Sequence, residues 1–307
     1  MEIYDVLIIG GGPGGLTTGI YSCRAQLKTA MIEKMMPGGQ VISTDFIENY
    51  PGFEEGVGGI DLMQRMEKQA RRFGLEILTG TVEDIDLESN PKKVTASGKE
   101  YHAKSIVIAT GTTPKLLGIP GEKELKGRGV SYCATCDGPF FKDKDIVVIG
   151  GGSSGVQESL YLTRFVNSIT LFEYMGQLNA EKILQERARK EPKIKIFTNH
   201  QVLAINGEQT VQSVLVKNRA NGEERLIAAS GVFIWVGVQP NTDFLVGKVD
   251  MDDWHYIKTD VMMETSVPGV FAIGDVRDAS VRQITTAVGD GTTAAISALK
   301  YVESLEE

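Results

Sequence analysis

The fold of this protein is decided by residues 6–15, which read Val-Leu-Ile-Ile-Gly-Gly-Gly-Pro-Gly-Gly. The apolar run is typical of a strand buried in a parallel sheet. The glycines after it match G-x-G-x-x-G, and a helical pattern follows through Cys23. Such glycines allow a tight turn, close approach of backbone to a pyrophosphate and close helix–strand packing. Because the helix N-terminus adds amide donors and positive potential, the segment predicts a dinucleotide site.

The same pattern recurs at residues 146–155, which read Ile-Val-Val-Ile-Gly-Gly-Gly-Ser-Ser-Gly, with a helical pattern through Leu162. One match to G-x-G-x-x-G is a weak signal, but two matches with the correct flanking elements are specific. At the second turn an alternative stays open, namely an inherited turn that packs well and no longer holds a nucleotide. The candidate turn residues are Gly10, Gly12, Pro13 and Gly15 at the first site and Gly150, Gly152, Ser153, Ser154 and Gly155 at the second.

An acidic residue follows each turn after a second apolar strand. Glu33 and Glu173 each lie 23 residues after the first glycine of their turn. A carboxylate at this place can accept hydrogen bonds from ribose hydroxyls, and it repels a 2′-phosphate. The alternative for both is a charged residue at an exposed strand end.

A third candidate segment lies near the C-terminus. Residues 270–275 form an apolar strand that ends in Gly274-Asp275, and Arg282-Gln283-Ile284 then open a mostly helical segment. An aspartate beside a helix N-terminus suits a ligand with a sugar-alcohol chain and an electron-rich ring, because the carboxylate accepts from hydroxyls and the helix dipole stabilises negative charge. The alternative is a surface turn with a helix cap.

Cys133 and Cys136 form a C-x-x-C pair, followed at once by Asp137. In such pairs one thiolate is usually stabilised, which makes it a good nucleophile and leaving group. The pair could also be half a zinc site or two buried small residues. A zinc site lacks ligands, because the only other cysteine is Cys23 and the three histidines have no ligand-like spacing. We therefore predict a redox pair and no metal.

Composition narrows the function classes. The 307 residues carry 40 acidic against 32 basic side chains, a net charge of -8, which disfavours a nucleic-acid or membrane-surface role. No run of eighteen apolar residues and no basic N-terminal region occurs, so we expect neither a membrane span nor a signal peptide. Three cysteines do not make a secreted disulfide scaffold. A cytoplasmic location is expected, where C-x-x-C pairs are more often catalytic than structural.

Together these residues resemble the low-molecular-weight thioredoxin reductases, which are class II members of the pyridine nucleotide-disulfide oxidoreductase family. The resemblance covers essentially the whole chain. The matching segments are residues 9–15, 37–40, 47–52, 109–111, 126–131, 133–137, 274–275 and 282–284. The resemblance implies an α/β fold with two doubly wound, Rossmann-like dinucleotide-binding domains, the second inserted in the first. Residues 1–114 and 245–307 would form an FAD-binding domain, and residues 115–244 a second nucleotide-binding-like domain that carries the C-x-x-C pair.

The resemblance also implies a flavin-dependent thioredoxin-disulfide reductase, a homodimer that acts on a thioredoxin or a glutaredoxin-like protein. Cys136 would face the flavin and Cys133 would attack the partner. Larger relatives use a C-terminal histidine as the acid, which this chain lacks, so Asp137 is the candidate acid. The alternative for Asp137 is a helix or turn cap. Besides the first turn, the residues implied to bind FAD are Glu33, Lys34, Gly39, Gln40, Asn49, Val82, Thr110, Gly111, Gly274, Asp275, Arg282, Gln283 and Ile284.

One departure from the family concerns the electron donor. Members that use NADPH carry His-Arg-Arg and a further Arg after the second strand of the inserted domain, whereas this chain has Glu173-Tyr174-Met175 and Asn179. The site would offer one negative charge and no positive one. Each arginine–phosphate contact is worth on the order of 1.5–3 kcal/mol. The sequence therefore predicts a donor other than NADPH, with NADH among the candidates.

Three alternatives stay open at this point. The first is an ordinary NADPH-dependent thioredoxin reductase. The second is a flavoprotein with another partner, such as a redox sensor or the reductase subunit of a peroxidase system. The third, a ferredoxin-NADP reductase of similar fold, is disfavoured because those proteins lack the C-x-x-C pair.

Overall fold

The computed structural model describes residues 2–305 and divides the chain into two units. The first unit contains residues up to 42, residues 46–113 and residues from 239 onward. The second contains residues 43–45 and 114–238. The bounds at residues 113/114 and 238/239 fall inside short strands, β7 (Thr112–Pro114) and β16 (Val238–Pro240), which pair with each other. The second unit is thus an insertion in the first.

The first unit is built on a seven-stranded sheet in the order β3-β2-β1-β6-β5-β4, with β17 also paired to β6. Strands β1, β2, β3, β17 and the C-terminal part of β6 are parallel, while β4, β5 and the N-terminal part of β6 form an antiparallel branch. The strands are β1 (Ile3–Ile9), β2 (Thr29–Glu33), β3 (Glu76–Thr79), β4 (Val82–Asp86), β5 (Lys92–Ala96), β6 (Lys99–Ile108) and β17 (Val270–Ala272). The helices are α1 (Pro13–Arg24), α2 (Gly59–Arg72) and α6 (Ile284–Ser304).

Strand β1 shows why an unbroken apolar run is needed at the centre of this sheet. Successive side chains of a strand point to opposite faces. Leu7 and Ile9 belong to the apolar cluster on one face of the sheet, and Val6 and Ile8 belong to the cluster on the other. All four are almost completely buried, which stabilises the fold by about 1.5–3 kcal/mol for each side chain.

The second unit repeats this arrangement. Its five-stranded sheet has the order β11-β10-β9-β15-β8, and all its pairs are parallel. Its strands are β8 (Val130–Ser131), β9 (Asp145–Ile149), β10 (Ser168–Phe172), β11 (Ile194–Phe197) and β15 (Gly231–Ile234). An antiparallel sheet of β12 (His200–Asn206), β13 (Ser213–Asn218) and β14 (Glu224–Ala228) accompanies it. The helices are α3 (Ala134–Asp137), α4 (Ser153–Leu162) and α5 (Lys182–Lys190).

Strand β9 is the counterpart of β1. Ile146 and Val148 pack into the apolar cluster on one face, and Val147 and Ile149 into the cluster on the other.

Short 3₁₀ helices cover Gly39–Ser43, Gly138–Phe141, Asp243–Leu245 and Gly274–Val276. The predicted α/β fold with two Rossmann-like units is confirmed. Within residues 2–305 no helix is long and apolar enough to cross a membrane.

Candidate functional site

The first glycine turn connects β1 to α1. Gly10 has φ +108°, and a Cβ there would collide with the carbonyl oxygen of Ala109, so only glycine fits this position. A Cβ on Gly15 would collide with the carbonyl oxygen of Gly10, which shows how closely the helix packs on the turn. A Cβ on Gly12 would meet no atom within 4 Å. The turn therefore leaves open space in front of the N-terminus of α1, where Pro13 is the first helical residue.

A cavity of about 260 Å³ adjoins this turn. Five predicted residues line it, namely Gly10, Glu33, Lys34, Val82 and Thr110. Asn241 and Phe244 line it as well, and sequence reasoning missed them because no motif marks them. The hydroxyl of Thr110 is buried and has no hydrogen-bond partner among residues 2–305. Since a buried hydroxyl normally has a partner, the cavity fits a polar ligand.

The loop after β2 folds back on the first turn. The amide of Gly38 donates to the carbonyl of Gly11 at 2.8 Å, which brings Gly39 beside Gly12. The Gln40 side chain donates to the carbonyl and hydroxyl oxygens of Thr112, at 2.7 and 2.6 Å. Gly39 and Gln40 are thus held against the first turn and against Thr112.

The C-terminal candidate residues are joined by contacts that the sequence did not predict. Asp290, on α6, accepts from the Gly274 amide at 3.0 Å and from Arg277 Nη1 at 2.8 Å. This pair fixes the turn that carries Asp275. Burial raises the pKa of Asp275, and Arg282 opposes that shift. The predicted strand is shorter than expected, because β17 ends at Ala272 and Gly274-Asp275 lie in a 3₁₀ helix.

The remaining predicted residues of this region also meet. Gln283 caps α6, whose first residue is Ile284, and its side chain accepts from Asn49 Nδ2 at 3.2 Å. The Gly111 carbonyl accepts from the Asn241 amide at 3.0 Å. Sites far apart in sequence are therefore brought together within the first unit.

The cysteine pair lies in the second unit and is a disulfide, Cys133–Cys136. Cys133 precedes the short helix α3, and its sulfur accepts from the Cys136 amide at 3.2 Å. The Ser131 hydroxyl accepts from the Cys133 amide at 3.1 Å and donates to Asp137 Oδ2 at 2.6 Å. Asp137 precedes the 3₁₀ helix Gly138–Phe141, and its carboxylate does not cap that helix. One hydroxyl thus connects the disulfide segment to the candidate acid.

A buried carboxylate fixes the residue before the disulfide. Glu122 is completely buried and accepts from the amides of Leu117 and Gly118, at 2.9 and 2.7 Å, and from the Tyr132 hydroxyl at 2.7 Å. Burial and the hydrogen bond to Glu122 raise the pKa of Tyr132, so it stays neutral. Because Tyr132 adjoins Cys133, this network holds one end of the disulfide segment.

A cavity of about 280 Å³ lies beside the candidate acid. Its lining includes Arg128, Ser131, Asp137 and Phe140. Phe140 is 80% exposed, although aromatic side chains usually avoid such exposure. The cavity therefore joins a guanidinium, a carboxylate and an exposed ring within the second unit.

The second glycine turn repeats the geometry of the first. Gly150 has φ +117°, and a Cβ there would collide with the carbonyl oxygen of Trp235. A Cβ on Gly155 would collide with the Gly150 carbonyl, and a Cβ on Gly152 would meet no atom within 4 Å. Of the two serines, Ser153 accepts from the Glu181 amide at 3.1 Å and Ser154 is exposed.

The second turn adjoins a cavity of about 450 Å³. The predicted residues Gly150, Gly152 and Glu173 line it. His200 and Trp235 line it too, and no sequence signal marked them. The cavity shows that the second turn faces open space.

Within residues 2–305, the lining of the second cavity includes Glu173 and neither lysine nor arginine, but an arginine contacts one of its lining residues, Tyr174. The Arg219 guanidinium lies 3.7 Å from the centre of the Tyr174 ring, and its Nη1 donates to the Tyr174 carbonyl at 2.8 Å. Arg219 follows β13, far from Tyr174 in sequence, so spacing could not reveal it. The Arg219 guanidinium contacts the Tyr174 ring and carbonyl, whereas the Glu173 side chain belongs to the lining of the cavity.

Comparison with known proteins agrees with this geometry. The chain matches the pyridine nucleotide-disulphide oxidoreductase family over residues 4–291. It belongs to that family. A thioredoxin reductase from Listeria innocua is 46% identical over 100% of this chain and 96% of its own. The crystal structure of Lactococcus lactis thioredoxin reductase has a TM-score of 0.96 at 45% identity, covering 98% of this chain and 99% of the other. A bifunctional thioredoxin reductase/thioredoxin from Mycobacterium leprae is 45% identical over 98% of this chain and 66% of its own.

Within the pyridine nucleotide-disulphide oxidoreductases, the chain groups with the low-molecular-weight thioredoxin reductases, as the sequence predicted. This confirms a flavin-dependent oxidoreductase that has a disulfide in its second Rossmann-like unit.

This pyridine nucleotide-disulphide oxidoreductase also has a buried acid that sequence reasoning missed. Glu158 lies on α4, the helix that starts at the second glycine turn. Its Oε2 atom is buried with no hydrogen-bond partner among the described residues. Burial raises the pKa of Glu158 from 4.5 to about 7. The folded protein therefore favours the neutral acid.

Glu158→Gln is expected to change how stability depends on pH. Because the folded-state pKa is raised to about 7, the wild-type protein loses stability as pH rises from about 5 to 8. A shift of this size is worth about 3 kcal/mol. Glutamine stays neutral, so the variant should be more stable than the wild type by up to about 3 kcal/mol at pH 8, with little difference at pH 5. Urea unfolding at both pH values measures this, and parallel pH profiles would contradict it.

Proposed function

We propose that this protein is an FAD-dependent thioredoxin-disulfide reductase whose electron donor is not NADPH. The observation that carries the proposal is the Cys133–Cys136 disulfide, held beside Asp137 by the shared Ser131 hydroxyl. Thioredoxin is the proposed acceptor because the relatives with over 40% identity bear that activity in their names. A glutaredoxin-like protein is the alternative acceptor, and a homodimer is the proposed assembly.

We assign FAD to the first unit. Its cavity provides Gly10, Glu33, Lys34, Val82 and Thr110, and the orphaned Thr110 hydroxyl fits a polar ligand. Bound FAD supplies transfer of an electron pair between the donor and the protein disulfide. Around it, the residues proposed to orient the cofactor are Gly12, Pro13, Gly15, Gly39, Gln40, Asn49, Gly111, Gly274, Asp275, Arg282, Gln283 and Ile284.

The cysteines carry the next steps. An electron pair delivered to Cys136 breaks the S–S bond and leaves two sulfur nucleophiles. Cys133 is the proposed attacking group because the Cys136 amide, which lies 3.2 Å from its sulfur, would stabilise its thiolate. Its attack on the acceptor disulfide forms a mixed disulfide and releases one acceptor sulfur, which takes a proton from Asp137. Cys136 then attacks the Cys133 sulfur, restores the internal disulfide and releases the second acceptor sulfur, which is protonated from solvent. Solvent also returns a proton to Asp137, which closes the cycle.

The cavity that contains Arg128, Asp137 and Phe140 is the proposed docking place for the acceptor. An exposed aromatic ring four residues after Cys136 favours a protein partner, because burial of the ring would stabilise the complex. This arrangement favours a reductase over a redox sensor.

One experiment tests cofactor and acceptor together. The purified protein is expected to be yellow with about one FAD per chain, and after photochemical reduction without any nicotinamide it should generate thiols on oxidised thioredoxin. Gly12→Val should lose FAD, since its side chain fills open space in front of α1 and the backbone there, with φ −72°, accepts valine. Gly152→Val, the same change at the second turn, is the matched control and should keep FAD.

A folded, colourless protein that takes up no FAD would contradict the cofactor assignment. A yellow protein that is photoreduced and leaves oxidised thioredoxin unchanged would contradict the acceptor assignment.

A further inference from the structure

The two glycine turns share a detail that their sequence motif does not contain. At each turn the carboxylate of the strand-end glutamate accepts from the amide of the second glycine and from the amide two residues beyond the glutamate. For Glu33 these donors are Gly11, at 2.7 Å, and the amide of residue 35, at 3.2 Å. For Glu173 they are Gly151, at 2.5 Å, and the amide of residue 175, at 2.7 Å. The second turn thus reproduces the first at atomic detail.

We propose that the second cavity binds the adenosine diphosphate part of a dinucleotide whose ribose has a free 2′-hydroxyl, as in NAD(H). A carboxylate has about four lone-pair positions, of which the amides use two. The remaining positions of Glu173 can accept from both ribose hydroxyls, and they repel a 2′-phosphate. The inference rests on the proposed function, because it names the class of donor for that enzyme.

The Glu173 carboxylate is held in place by its own two hydrogen bonds, and the loop that follows it is held by further contacts. The Glu173 carbonyl accepts from the His200 amide at 3.0 Å, and the Met175 carbonyl accepts from the Asn199 amide at 2.8 Å. Between them, Arg219 covers the Tyr174 ring and donates to the Tyr174 carbonyl. The carboxylate therefore presents a negative charge at a defined place in the cavity, and Arg219 holds the loop that follows it.

The other end of the cavity is suited to a pyrophosphate. Gly152 lines it with open space in front of its α-carbon, at the N-terminus of the ten-residue helix α4. Amide donors and the helix dipole favour phosphate groups at such a place. The cavity, about 450 Å³, is larger than the one at the first turn, about 260 Å³. A volume of this size suits a small-molecule ligand.

Calorimetric titration of the FAD-saturated, full-length protein with NAD⁺ and with NADP⁺ tests the proposal. NAD⁺ should bind once per chain, roughly tenfold or more tighter than NADP⁺, because a fixed carboxylate opposes the 2′-phosphate. Gly152→Val should weaken NAD⁺ binding by roughly tenfold or more, since its side chain enters the space of the pyrophosphate. The backbone of Gly152, with φ −77°, accepts valine without strain. Ala228→Val, on the exposed face of β14, is the matched control and should leave binding unchanged.

Equal or tighter binding of NADP⁺, absence of NAD⁺ binding at millimolar concentration, or unchanged NAD⁺ binding by Gly152→Val would each overturn the proposal. Photoreduction of the same preparations in the presence of thioredoxin distinguishes failure of this inference from failure of the proposed reductase function. Thioredoxin reduction without NAD⁺ binding rejects this inference alone. NAD⁺ binding as expected, without thioredoxin reduction, rejects the proposed function alone.

Discussion

Cys133→Ser is expected to abolish thioredoxin reduction, with a loss of at least about 10³-fold, because a serine hydroxyl does not ionise at neutral pH and cannot replace the attacking thiolate. In the structure the Cys133 sulfur accepts from the Cys136 amide, which would stabilise that thiolate. Cys136→Ser should instead let Cys133 attack and then stop, because no second sulfur resolves the mixed disulfide. Non-reducing electrophoresis and mass spectrometry should detect this covalent complex with thioredoxin.

The absorption spectrum of the flavin independently tests whether Cys133 attacks the partner and Cys136 faces the flavin. Cys133→Ser leaves Cys136 as the single sulfur of the pair, and a thiolate–flavin charge-transfer band is expected in that variant. Cys23→Ser is the control, because Cys23 lies on α1 in the first unit and is partly buried against its apolar cluster. It should keep full turnover. A trapped complex from Cys133→Ser, with the charge-transfer band in Cys136→Ser, would reverse the two roles.

We also expect that NADPH reduces the flavin of the wild-type protein slowly. Glu173 lines the second cavity, and by the resemblance to NADPH-dependent members it would lie where a 2′-phosphate binds, with three arginine–phosphate contacts of on the order of 1.5–3 kcal/mol each missing. The combined change Glu173→His, Tyr174→Arg, Met175→Arg and Asn179→Arg should raise the rate of reduction by NADPH at low concentration by about 100-fold or more. Stopped-flow absorbance at the flavin band measures the rate.

The fourfold variant also changes a contact of Arg219. Tyr174→Arg removes the ring that Arg219 covers, whereas the bond from Arg219 to the carbonyl of residue 174 is to the backbone and can remain. The matched control is Tyr174→Phe, which keeps the ring and should leave the slow NADPH rate unchanged. Efficient NADPH use by the wild-type protein would contradict the donor proposal. If the fourfold variant stays inert to both nicotinamides while a reduced ferredoxin works, the second unit carries the disulfide without acting as a nucleotide site.

The sequence alone predicted the two glycine turns, the strands before them and the cysteine pair. These features are local, because a turn with φ of +108° or +117° and an alternating two-sided strand are specified by neighbouring residues. The repeat of one motif predicted two dinucleotide-binding turns, and the resemblance to the thioredoxin reductases implied two Rossmann-like units with one inserted in the other. The antiparallel branch β4-β5-β6 had no comparable signal, since short strands pair according to their neighbours in space.

Only the tertiary structure decided which distant residues complete each site. Asn241 reaches the first cavity, Asp290 fixes the turn before Asp275, Glu122 holds Tyr132 beside the disulfide, and Arg219 covers Tyr174. None of these residues belongs to a motif, because each acts through a contact made by packing of elements far apart in the chain. The sequence therefore predicted where the nucleotides would bind and where the disulfide lies, and the structure shows the disulfide. The packing of distant segments decided the charge and the rigidity of each site, which depend on distances that spacing along the chain does not contain.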